Sequence, residues 1–132
     1  MSAWRDLISR ASRPCTVLIA EDQKLVAQDL AALVHEAGAM VVGIAADSVD
    51  ALLLAAEHRP DVAVIDIDLQ TGSDAIQLAC EIREMTDASI IFCGNDDLAT
   101  QGRLLAFGRV QFLPKPVDFE SLSRALLRVC HT

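Results

Sequence analysis

Short apolar runs alternate along this chain with longer stretches whose apolar residues recur every three or four positions. Thr16–Ala20 is a compact run with β-branched residues, the pattern of a strand buried on both faces. Residues 24–37 then read as a helix, with Val26, Leu30, Leu33, Val34 and Ala37 on one face and Gly38 as its stop. Met40–Ala45 predicts a second strand. Asp47 or Ser48 would cap a helix that turns Val49, Leu52, Leu53 and Ala56 inward and stops before Pro60. A third strand is expected over 62–65. Ser73 or Asp74 would cap the next helix, with Ala75, Leu78, Ala79 and Ile82 inward. A strand over 89–93, a helix over 97–107 ending at Gly108 and a strand over 110–113 follow. Asp118 opens a last helix that places Phe119, Leu122, Leu126 and Val129 at spacings of three and four. Five strands alternating with five helices predict an α/β fold, a doubly wound parallel sheet whose right-handed crossovers set helices on both faces.

Charged residues stand at the ends of three of these runs. Glu21 and Asp22 follow the first, Asp66 and Asp68 end and follow the third, and Lys115, between Pro114 and Pro116, follows the fifth. The carboxyl ends of parallel strands line one crevice, where ligands bind. Carboxylates gathered there repel one another unless a divalent cation neutralises them. The arrangement points to a hard metal and a phosphate-like anion, with Lys115 as the anion's positive partner.

The bulk numbers narrow the setting. A chain of 132 residues, 52% hydrophobic and 23% charged, is one globular domain. A net charge of -8 speaks against nucleic acid as a partner, since such binding rests on basic patches. The apolar stretches fall short of the roughly 20 residues that span a membrane, and no cationic leader with a long apolar region opens the chain. Cys15, Cys80, Cys93 and Cys130 are scattered without paired spacing, which predicts reduced cytosolic thiols rather than zinc ligands or a disulfide framework. Cys80 and Cys130 are expected as buried helix residues. Residues 1–14, with Trp4, Leu7 and Ile8 among charges, are expected to be a loosely attached extension to the folded domain over 15–132.

Three segments in order, Val17-Leu18-Ile19-Ala20-Glu21-Asp22, Pro60-Asp61-Val62-Ala63-Val64-Ile65-Asp66 and Gly108-Arg109-Val110-Gln111-Phe112-Leu113-Pro114-Lys115-Pro116, resemble the receiver (phosphoacceptor) domain of two-component response regulators. The resemblance covers about residues 15–130. It implies a flavodoxin-like five-stranded sheet of order 2-1-3-4-5. It makes Asp66 the acceptor of a phosphoryl group from a phosphohistidine, Asp22 a direct Mg²⁺ ligand and Glu21 the holder of a metal-bound water. Asp68 would lend a backbone carbonyl to the metal. Lys115 would pair with the acceptor and then with the phosphoryl oxygens, its bond to Pro116 being cis. Such a domain is cytoplasmic, takes its phosphoryl group from a histidine kinase or histidine phosphotransfer protein, and signals through a downstream protein partner at its fourth and fifth helices and fifth strand. It is not an enzyme beyond its own phosphorylation and autodephosphorylation.

This chain departs from the family pattern in the fourth strand, where a Thr or Ser hydroxyl normally meets the phosphoryl group. Counting back from Lys115 puts Cys93 there; counting forward from Asp66 allows Gly94. Neither supplies a hydroxyl, and a thiol is a weak donor. Switching is therefore expected to be less sharp or to use other contacts. Phe112 takes the aromatic switch position without a tyrosine hydroxyl. The loop after Asp66 lacks a usual proline and is one residue longer. Asp68 and Asn95 stand where side chains tune autodephosphorylation. Two alternatives remain: a phosphorylation-independent adaptor with the receiver fold, and a Mg²⁺-dependent phosphatase, since Asp66-Ile67-Asp68 also resembles the DxD of haloacid-dehalogenase-type enzymes.

Overall fold

The alternating pattern resolves into a single parallel sheet of order β2-β1-β3-β4-β5. The computed structural model describes residues 13–69, 75–95 and 98–130. Its elements are β1 (Thr16–Ala20), α1 (Lys24–Glu36), β2 (Met40–Ala45), α2 (Ser48–His58), β3 (Val62–Asp66), α3 (Ala75–Met85), β4 (Ser89–Gly94), α4 (Leu98–Phe107), β5 (Val110–Pro114) and α5 (Phe119–Cys130). β3, β4 and β5 each run one residue beyond the expected end, because ladder pairing continues through Asp66, Gly94 and Pro114. The expected caps Ser73 and Asp74 and the segment 1–12 lie outside the described residues.

Side chains of alternate strand residues feed two cores. Val17, Ile19, Val64 and Ile91 pack with Leu30 and Val34 of α1 and Leu122, Ala125 and Leu126 of α5. Leu18, Ala63, Ile65, Ile90 and Phe92 pack with Ala51 and Ala55 of α2, Leu78, Ala79 and Ile82 of α3 and Leu104 of α4. Two-sided burial explains why all five residues of β3 are buried. Asp47 caps α2 by accepting from the Asp50 N–H at 2.8 Å, and Asp118 accepts from the Ser121 N–H at 2.7 Å ahead of α5. Gly38 leaves α1 with φ 94°, a conformation that favours glycine.

The buried face of α2 differs from expectation. Val49 and Leu53 are 66% and 63% exposed, and Ala56 is exposed too, while Ser48, Ala51 and Ala55 are buried. Over β2, a Cβ on Gly43 would stand 2.8 Å from Leu54 Cδ1, so Leu54 fills the space a side chain there would need. Ser48, Ala51 and Ala55 form the buried line of the helix, and half-buried Leu52 and Leu54 pack against the core beside it.

The cysteines also correct the sequence reading. Cys15, just before β1, is bonded to Cys130, the last residue of α5, with S–S 2.05 Å across a sequence separation of 115. Cys80 is exposed, not buried. The fold, not the spacing, brings Cys15 and Cys130 together: both pack at the core shared by α1 and α5.

At the amino ends of the strands, Asp61 ties β1 to β3. It accepts from the Thr16 N–H at 2.9 Å and the Thr16 hydroxyl at 3.1 Å, and both its oxygens meet the Arg13 guanidinium at 2.7 and 2.8 Å. Burial pushes the Asp61 carboxyl up, but the bonds from Arg13 and Thr16 outweigh it and hold the group below the usual carboxylate range.

Candidate functional site

Parallel strands of unequal sequence origin end at one edge, and that is what assembles the site. β1 delivers Glu21 and Asp22, β3 ends on Asp66, β4 ends on Cys93 and Gly94, and β5 leads into Lys115. Donor oxygens of Glu21, Asp22 and Asp66 all lie within 4.8 Å of one another. Lys115 Nζ stands 2.6 Å from Glu21 Oε1 and 3.2 Å from Asp66 Oδ1. Glu21 and Asp66 are 1% and 2% exposed, whereas Asp22 and Asp68 face solvent. The Lys115–Pro116 bond is cis, as the resemblance implies. The Lys115 N–H donates to the Gly94 carbonyl at 2.8 Å, anchoring the loop that carries the ammonium.

Each carboxylate has its own surroundings. Glu21 Oε1 accepts from Lys115, and Oε2 accepts from the Gln23 N–H at 3.1 Å. Asp66 Oδ1 accepts from the Asp68 N–H at 3.1 Å beside the Lys115 contact. No hydrogen bond among the described residues reaches Asp66 Oδ2, so this carboxylate keeps one oxygen for a ligand. Burial pushes the Glu21 carboxyl above its ordinary range; the bonds from Lys115 and Gln23 oppose it without reversing it. Burial draws the Lys115 ammonium down, but the Glu21 bond and the charge on Asp66 outweigh it and raise its pKa.

Three carboxylates facing one ammonium leave an excess of negative charge in a largely buried place. Hard oxygen donors at this spacing fit Mg²⁺, which takes a few carboxylates and completes its shell with waters or phosphate oxygens. Asp22 and Asp66 have the free oxygens for such an ion; Glu21 has both oxygens engaged and serves in this structure as the seat of Lys115.

Cys93 and Gly94 close the fourth side. Cys93 is fully buried and its thiol is pushed up to about 12, by burial first and by the nearby carboxylates against the pull of Lys115. A thiol in that state stays protonated at neutral pH and is a poor nucleophile. Above Gly94, a Cβ would meet the side chain of Ile67, 2.6 Å from its Cδ1 and closer still to its Cγ1. Ile67 thus fills the space a side chain at 94 would need. Sequence reasoning missed this role, since it depends on the path of the loop after Asp66, where the Ile67 N–H donates to the Cys93 carbonyl at 2.9 Å. Phe112 is half-buried on the α2–α3–α4 side, paired in register with Phe92.

Comparison with known proteins agrees with this geometry. Residues 17–127 match the family described as the response regulator receiver domain. The transcriptional regulatory protein PdtaR of Mycobacterium tuberculosis is 34% identical over 119 residues, covering 88% of this chain and 57% of that protein. The phyllosphere-induced regulator PhyR of Methylorubrum extorquens is 33% identical over 99 residues, covering 70% of this chain and 37% of that protein. This chain therefore spans about half the length, or less, of these curated relatives. Among solved structures, the signal receiver domain of a modulated diguanylate cyclase from Desulfovibrio desulfuricans G20 superposes with a TM-score of 0.81 at 29% identity, covering 90% of this chain and 95% of that one. The response regulator PhyR from Brucella abortus gives 0.76 at 29% identity, covering 95% and 51%.

Proposed function

This chain belongs to the response regulator receiver domain family, and on that premise we propose that it takes a phosphoryl group from a phosphohistidine onto Asp66. The observation that carries the reading is the meeting of a buried aspartate, two further carboxylates and one ammonium at the strand ends. In the transfer, the P–N bond of the donor imidazole breaks and an Asp66 oxygen–phosphorus bond forms, with the phosphoryl group passing between two fixed partners. Such a step needs positioning and charge neutralisation more than covalent machinery. Mg²⁺ held by Asp22, Asp66 and the Asp68 carbonyl would neutralise the charge shared by the carboxylates and the phosphoryl oxygens. The Asp68 N–H and Lys115 orient Asp66 beforehand. The Lys115 ammonium, shared between Glu21 and Asp66, would turn from them to the phosphoryl oxygens.

The donor would be a histidine kinase or a histidine phosphotransfer protein in the cytoplasm, and the readout a protein contact. No helix of the described residues is long and apolar enough to cross a membrane. Exposed Leu25 at the first turn of α1, beside Asp22, offers an apolar contact to an approaching donor. On this reading the chain turns over no separate substrate. Intact-protein mass after incubation with Mg²⁺ and acetyl phosphate tests it: one phosphoryl group is expected on the wild type and none on Asp66→Asn. A wild type left unmodified by both acetyl phosphate and a panel of histidine kinases overturns it.

One observation favours a second reading. Neither Cys93 nor Gly94 supplies the family's hydroxyl, and Ile67 fills the space over Gly94, which suits a receiver fold that binds its partner without phosphorylation. Partner affinity unchanged by Asp66→Asn would support that adaptor. Solved relatives include a protein described as the anti-anti-sigma factor PhyR from Bartonella quintana, 26% identical, so signalling by protein contact is the output to look for under either reading.

A further inference from the structure

The Cys15–Cys130 disulfide joins the start of β1 to the end of α5. The two elements it joins carry the acidic site at their opposite ends: β1 leads into Glu21 and Asp22, and α5 follows the loop that holds Lys115. Cys15 is buried and Cys130 only half-buried, at the tip of a helix. The remaining cysteines sit elsewhere, Cys80 exposed on α3 and Cys93 buried behind the site, so neither competes for this pairing.

We propose that Cys15 and Cys130 are a reversible redox site, a thiol–disulfide pair that locks the last turn of α5 onto the base of β1 when oxidised and frees it when reduced. Disulfides in reducing compartments are mostly transient, catalytic or redox-sensing. The compartment follows from the receiver reading above, and the inference rests on that reading to this extent only. The exchange balances with a small disulfide such as oxidised glutathione. The Cys130 thiolate attacks one sulfur of the small disulfide and expels the first glutathione. The Cys15 thiolate then attacks Cys130 Sγ and expels the second. The pair gives up two protons and two electrons, and one oxidised glutathione becomes two reduced ones. Cys130 is the entry point because it is the less buried of the two.

The lock has something to hold. Leu122, Ala125 and Leu126 are buried and the Gln111 side chain donates to the Ala125 carbonyl at 3.0 Å, all before the last turn. Beyond them, among the described residues, the helix keeps half-buried Leu127 and Val129 and an exposed bond from Arg128 to Gln111 Oε1. A bond across a separation of 115 residues also removes much of the unfolded chain's freedom, an effect that grows with loop length.

The test uses the full chain equilibrated in oxidised or reduced glutathione, acid-quenched, unfolded and alkylated, with masses and thermal melts read side by side. In oxidised glutathione, two of the four cysteines should escape alkylation, and Tm should rise by on the order of 10 °C. Amide exchange over 127–130 should slow on oxidation. Cys130→Ser and Cys15→Ala should each lose the redox-dependent shift in Tm, while Cys80→Ser keeps it. Alkylation of all four cysteines in oxidised glutathione, a glutathione adduct that never closes onto Cys15, or equal Tm in both buffers overturns the proposal. Asp66→Asn should respond to the redox buffers as the wild type does, so failure here and failure of phosphoryl transfer are separate results.

Discussion

The two ends of the sheet treat charge in opposite ways. At the amino ends of the strands Asp61 meets one guanidinium and two Thr16 donors, so its charge is matched. At the carboxyl ends buried Glu21 and Asp66 share the Lys115 ammonium, and Asp22 stands beside them with no ion-pair partner among the described residues. A matched pair near the surface is a strut. Carboxylates that outnumber their cations in a buried place destabilise the fold unless a further cation neutralises them.

The sharpest way to break this contrast is Lys115→Met. It leaves buried Glu21 and Asp66 with no counter-charge and should lower unfolding stability by about 3 kcal/mol without Mg²⁺. Adding Mg²⁺ should return part of the loss, read as a shift of the urea midpoint; a midpoint unmoved by the substitution would mean that the charges are not coupled. Next in size is Gly94→Ser. The new Cβ runs into Ile67 and should cost about 2 kcal/mol. Ile67→Ala in the same chain should recover most of it, and only the double variant should gain a hydroxyl able to alter phosphoryl lifetime, measured by the decay of the phosphorylated mass.

The smallest effect lies at the other end. Asp61→Asn should cost roughly 1–2 kcal/mol through weakened bonds to Thr16, while Arg13→Ala, at a side chain 67% exposed, should barely move the midpoint. The pH dependence separates the two ends by sign. The Asp61 carboxyl is held low when folded, so its contribution is present above its ordinary value and is lost as pH falls through the lowered one. The Glu21 carboxyl is raised when folded, so stability linked to it increases as pH falls through the raised value and levels off below its ordinary one. Melts of Asp61→Asn and Glu21→Gln against wild type across acidic pH should therefore diverge in opposite directions.

Much of this was legible in the chain. Short apolar runs and period-three-to-four patterns place the ten elements within a residue or so, because two-sided burial of β3 and the apolar stripe of α3 are written directly in the sequence. The end-of-strand positions of Glu21, Asp22, Asp66 and Lys115 are equally direct, since strands of one parallel sheet must end together. Other features lie beyond any local pattern. The face of α2 that is buried is one of these: Ala51 and Ala55 are buried, Val49 and Leu53 are exposed, and Leu54 takes the space over Gly43 of a neighbouring strand. The pairing of Cys15 with Cys130, the seating of Lys115 on Glu21 and the filling of the space over Gly94 by Ile67 are all contacts between segments far apart in sequence or set by a loop's path. Composition and periodicity record what each residue prefers, whereas these contacts depend on which residues the completed packing leaves within a few ångströms of one another.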